Sequence, residues 1–256
     1  MMPDIDSELE LLDSDLKNST PTPTLHTKLQ YQLISSLAKR WQTPQDINTP
    51  SEIKIYKDMV DSWISSLPSV FSVHNPDTSN DVTWPWVTAH RYYIQTMAYF
   101  MLLQPYKAYL SSPSPNLSSA ETQDLREEAV NYSLKALQAA AQWASLVSEG
   151  DGQFHLIVLC LFDTAAFLST TLDKDQAKTI PRGNKAVLAV DEAATILQQL
   201  QTTSHGAKSS YKLLRRILRR LNWTRGNAHP RTPLTGNMGQ MGEDGCSHEL
   251  SSTNTC

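Results

Sequence analysis

The chain has 256 residues, of which 40% are hydrophobic and 19% charged, and its 22 Lys and Arg against 26 Asp and Glu leave a formal charge of −4. That balance supplies enough apolar residues for a core and no global attraction to nucleic acid or anionic lipid. Only nine glycines are present and five of them follow Trp223, too few before that point for the turns of a sandwich or a doubly wound sheet, so the composition predicts an all-α fold.

Residues 4–16 interleave six acids with Ile5, Leu9, Leu11, Leu12 and Leu16. Acidic-hydrophobic alternation is the composition of a disordered activation segment, and equally of a solvated leader. Residues 1–24 are accordingly predicted to be an acidic, disordered leader, closed by the extended spacer Thr20-Pro21-Thr22-Pro23-Thr24.

The first helix is predicted over 25–41, because Leu25, Leu29, Leu33, Leu37 and Trp41 recur every four residues. Thr43-Pro44 is expected to stop it. Thr49, Pro50 and Glu52 give the second helix a complete start signal, with Tyr56, Met59, Val60, Trp63 and Leu67 inward and Pro68 at its end. A third, over 87–104, carries His90, Ile94, Met97, Ala98 and Met101 on one face, and Pro105 is expected to terminate or kink it. Ser118 and Glu121 are spaced as a capping box for a fourth helix, running through Leu125, Ala129, Tyr132, Ala136, Ala140 and Trp143 to a cap at Gly150.

The segment 154–172 is apolar nearly all round and is predicted to be the central helix of the bundle. Its longest apolar run, 154–168, is shorter than a bilayer span and contains His155 and Asp163, so no membrane association is expected. Helices over 184–201 and 209–222 complete an irregular bundle of about seven helices spanning 25–223. Residues 224–256 lack periodicity and are predicted to be a disordered tail.

Chemistry-bearing motifs are scarce. Cys160, Cys246 and Cys256 make neither a disulfide framework nor a metal-ligand spacing, which suits a reducing compartment. The amino terminus lacks the basic-then-apolar character of a signal peptide. No histidine pair is spaced i, i+4, and neither a phosphate-binding glycine loop nor a serine nucleophile elbow occurs. Glu127-Glu128 and Asp191-Glu192 are adjacent pairs that point about 100° apart on a helix, so neither forms a pincer for a divalent cation. Cys160 reads as a core thiol. No catalytic residue, metal site or cofactor is expected.

Two constellations remain. Asp163 lies in the most apolar helix, where an unpaired carboxylate is costly, and Arg91 is its expected partner in a buried polar hub or an effector pocket. Lys212, Arg215, Arg216, Arg219 and Arg220 make the final helix basic, either as a solvated face or as a contact for nucleic acid or an import receptor.

Four segments, in order, resemble one family. They are 55–68, ending Trp63-Ile64-Ser65-Ser66-Leu67-Pro68; Trp84-Pro85-Trp86 through His90-Arg91 to Leu103-Gln104-Pro105-Tyr106; Cys160-Leu161-Phe162-Asp163-Thr164-Ala165; and 186–200 followed by 207–214. Over about 52–221 the chain resembles the carboxyl-terminal half of the regulatory (middle homology) domain of fungal zinc-binuclear-cluster transcription factors. The resemblance implies an intracellular, nuclear regulator of metabolic or biosynthetic genes that answers to a small-molecule effector. It departs from the family where DNA is bound: six zinc-ligating cysteines are required, and this chain has three, none before residue 160. No DNA-binding residue carries over, so sequence-specific DNA binding by this chain alone is not expected. A truncated gene product and a stand-alone module acting through the transcription machinery or another DNA-binding subunit both fit. The alternative is a helical small-molecule-binding protein or enzyme of no recognisable motif, and a cytoplasmic location.

Overall fold

In the computed structural model of the chain, which describes residues 25–111, 119–147, 154–175, 180 and 182–221, seven α-helices follow one another with no strand among the described residues. They are α1 (Leu25–Ala38), α2 (Pro50–Ser66), α3 (Pro85–Ser111), α4 (Ser119–Ala144), α5 (Phe154–Lys174), α6 (Gly183–Leu200) and α7 (His205–Arg220). Short 3-10 turns at Pro44–Asp46 and Ser69–Phe71 join α1 to α2 and lead out of α2. The leader 1–24, the tail 224–256, Ser118 and Gly150 lie outside the described residues.

The pairing of α3 with α4 is the most extensive in the fold. On one side of it sit α1 and α2, both against α3; on the other, α5 packs on α4, α6 and α7. One continuous apolar core runs through all seven helices.

Local chemistry sets most of the boundaries. Leu25, Leu29, Leu33, Leu37 and Trp41 are all buried, but α1 ends at Ala38, short of the expected 41. The amides of Arg40 and Trp41 both donate to the Leu37 carbonyl at 3.0 Å, a tightening last turn that keeps the indole in the core. Thr49 caps α2, its hydroxyl accepting from the Glu52 amide at 3.2 Å, while the Glu52 carboxylate accepts from the Asn48 amide at 3.2 Å. The Trp63 indole donates to the Leu29 carbonyl at 3.1 Å and locks α2 onto α1.

Pro105 does not end α3, which runs on to Ser111. Its ring removes one amide from the helix ladder, yet Leu102, Leu103, Tyr106 and Tyr109 are buried on both sides of it, and that packing outweighs the local penalty. Ser204 caps α7, accepting from the Ala207 amide at 3.2 Å, so this helix starts one turn earlier than 209.

Helix α5 is less enclosed than its composition suggests. Ile157, Cys160, Leu161, Ala165 and Leu168 are fully buried, whereas Leu159 is 48% exposed and Phe162 and Ala166 are half-buried. Length and apolarity alone would let α5 cross a membrane; in this fold half of its most apolar stretch is buried inside the bundle.

Candidate functional site

Arg91 and Asp163 do not form the expected pair. The Arg91 side chain is 5% exposed and makes a two-pronged bridge to Asp81, Nη1 to Oδ2 at 2.9 Å and Nη2 to Oδ1 at 2.8 Å. Its Nε donates to the Val70 carbonyl at 2.7 Å and its Nη2 to the Asp77 carbonyl at 3.2 Å. The guanidinium hydrogen bond holds the Asp81 carboxyl below the ordinary carboxylate range, against the opposing effect of desolvation. Asp163 is instead bonded by Lys107, across α3 and α5, and the same ammonium lies 5.7 Å from the centroid of Phe100. The pairing has a physical origin: a planar fork is best satisfied by a loop that can offer a carboxylate and two carbonyls together, and the 69–83 connection does so.

The basic helix is laid out as its periodicity predicts. Ala207, Leu214 and Leu218 face the core, Lys212, Arg216, Arg219 and Arg220 are exposed, and Arg215 is half-buried. Among the described residues no carboxylate is ion-paired to this row.

Other titratable groups are absorbed by the core. Burial pushes the Cys160 thiol up to about 12, which keeps it protonated near neutral pH. The Tyr106 hydroxyl donates to Glu128 at 2.5 Å, and burial, then that bond, raise its pKa well above the phenol range. Lys135 lies 5.3 Å from the Tyr99 ring centroid and 5.8 Å from that of Tyr132.

Two grooves of the described surface have the dimensions of a ligand site: one of about 560 Å³ lies between α1 and α2, and the second, of about 550 Å³ and the one that carries several cations, lies between α4 and α6. Its floor includes Leu137, Leu161 and Ala193, all buried, and its walls carry Leu134, Ala189 and Ile196. Leu188, 59% exposed, stands on its rim. At the end nearest the start of α6 lie Asn131, Lys135, Arg182 and Lys185, and further along lies one acid, Glu192. Arg182 precedes α6 with φ 66° and ψ 19°, the one positive-φ non-glycine among the described residues. Its Nη1 donates to Asn131 Oδ1 at 2.9 Å, a bond that joins the two walls of the groove. A side chain held in the left-handed region costs of order 1–3 kcal/mol, so the surrounding contacts fix this arginine where it stands.

Neither Arg91, Asp163 nor the cations of α7 line this groove; Glu192, weighed above as half of an acidic pair, does. The groove's signal was faint: Leu188 outward on α6 within four residues of Lys185, and Arg182 just before the helix. Among the described residues no cluster of His, Cys, Asp and Glu could hold a metal ion. The chain matches no family model, no curated protein and no solved structure.

Proposed function

We propose that this chain is a transcription-regulator-like module without a DNA-binding domain of its own, acting in the nucleus by binding rather than by catalysis. The observation that carries the reading is the Arg91 fork. It grips the Val70 carbonyl just beyond Leu67-Pro68, and so ties together two of the four segments that resemble the regulatory domain. The remaining segments fall on α5, α6 and α7, which pack on one another. The resemblance thereby reads as one packed unit rather than scattered short matches. On this reading the α4–α6 groove receives the effector, and the chain reaches DNA through the transcription machinery or another DNA-binding subunit.

The test is a tethering measurement. The full chain fused to a heterologous DNA-binding domain changes transcription of a matched reporter by severalfold over that domain alone. Equal reporter output from the fusion and the bare domain overturns the proposal.

One observation favours a second reading, a helical small-molecule-binding protein unconnected with transcription: the groove volume falls within the range of ligand sites, about 300–1,000 Å³. Ligand binding without any reporter response selects it.

A further inference from the structure

We infer that the α4–α6 groove is a site for an amphipathic carboxylate: an anionic head at the Arg182 end and an apolar body laid along the two helices. The inference rests on the proposed regulator reading only in calling this ligand an effector; the chemistry stands on the groove itself.

Its charge is arranged along an axis. The Arg182–Asn131 bond sets the start of α6 against the middle of α4, and the lining residues of both helices follow from that point along the groove. Lys135 lies four residues beyond Asn131 and Lys185 three beyond Arg182, so three cations gather within about one turn of the same end. Glu192 is seven residues past Lys185, about 10 Å further along by helix rise, near a Debye length at physiological salt. A head group at the cationic end is therefore attracted by three charges and weakly opposed by one.

Beyond that end the lining changes character. Leu188 and Ala189 flank the middle, and Ala141 and Ile196 the far end, over a floor that includes Leu137 and Leu161. Gln138, Gln142 and Glu192 are the polar groups along it. From Asn131 to Gln142 the helix rise gives a trough of about 16 Å, open to solvent along its top. An apolar chain lying there covers Leu188, the most exposed leucine of the described residues. Burying a charge at the head is tolerable because Arg182 offers a planar fork already held by Asn131, with Lys185 one turn further along the same wall. A long neutral chain would leave the cations unused, and a compact dianion would leave the apolar trough uncovered.

Decanoate and 1-decanol, each below its aggregation limit, serve as probes of the full chain by titration calorimetry. Decanoate binds saturably with one site per chain, and the alcohol at least tenfold more weakly. The pair Arg182→Gln and Lys185→Gln weakens decanoate by about tenfold or more and the alcohol by less than about threefold. Gln keeps the left-handed strain of position 182, so the fold is not relaxed by the change. Leu188→Glu, at an exposed position, weakens both probes. Equal affinity for acid and alcohol overturns the inference, as does decanoate binding indifferent to all three substitutions or no saturable binding at all. The reporter fusion separates this result from the regulator reading. A fusion that acts while decanoate fails to bind sinks the carboxylate site alone, and decanoate binding with a silent fusion sinks the regulator alone.

Discussion

A guanidinium buried as deeply as that of Arg91 is tolerable because four of its five N–H groups have acceptors, two on Asp81 and one each on the Val70 and Asp77 carbonyls. Arg91→Met strands those acceptors and is expected to cost about 3 kcal/mol in a urea titration. Arg91 and Asp81 should couple by at least about 1 kcal/mol in a double-mutant cycle, whereas Arg91 and Asp163, which share no partner, should be additive within about 0.5 kcal/mol. The bridge also sets a pH dependence. Asp81 has its folded pKa below its unfolded value, so its contribution is complete above the ordinary carboxylate range and is lost as pH falls through the folded value. The urea midpoint of the native chain should drop between about pH 5 and pH 2, and less steeply in Asp81→Asn. Two tyrosines make a contrasting pair. The Tyr56 hydroxyl is buried with no hydrogen-bond partner among the described residues, and the Tyr106 hydroxyl is bonded to Glu128. Tyr56→Phe should therefore change stability by less than about 0.5 kcal/mol or raise it, while Tyr106→Phe loses about 1 kcal/mol. A loss above about 1 kcal/mol in Tyr56→Phe would mean that its hydroxyl has a partner.

At the level of the helix, burial within α5 decides what a truncation costs. Leu161 is fully buried between α4 and α6, and Leu161→Ala should cost about 3 kcal/mol, within the range for leucine-to-alanine changes in cores. Phe162, half-buried on the neighbouring face, should cost less despite its larger ring, and denaturant midpoints of the two variants give the order directly. The same helix shows what the sequence conveyed. The leucine stripe of α1 and the Thr49–Glu52 cap of α2 were legible because each depends on neighbours three or four residues away. The run through Pro105 was not legible, since its continuation depends on side chains buried against other helices. The partner of Arg91 was missed for a related reason: Asp81 sits in a connection without periodicity, so nothing local marked it above Asp163. The α4–α6 groove leaves only a faint trace in the sequence, because its walls are some fifty residues apart and only folding brings Asn131 to Arg182.

Across the molecule, charge is mixed over residues 17–207 and segregated in two clusters that flank them. The six acids of residues 4–16 and the six cations from Lys208 to Arg220 cancel one another in the chain's net charge, yet they lie far apart in the sequence. On α7 the cations occupy the face away from Ala207, Leu214 and Leu218, so any polyanion meets a positive row regardless of the chain's overall sign. Phosphate contacts of that kind fix no base identity, and Lys and Arg spread along one exposed face release counterions on binding. The full chain should therefore bind duplex DNA weakly, alike for unrelated sequences, with affinity falling steeply as salt rises. Each phosphate contact contributes about −0.9 to the slope of log affinity against log salt. Replacing Arg216, Arg219 and Arg220 with Gln should flatten that slope by about two to three units while leaving thermal unfolding nearly unchanged, since all three are exposed. Gel shifts across a salt series measure both quantities. A complex that survives physiological salt and excess competitor, and depends on one sequence, would demand an element in this chain that reads base edges, and the proposal that it reaches DNA only through a partner would have to be abandoned.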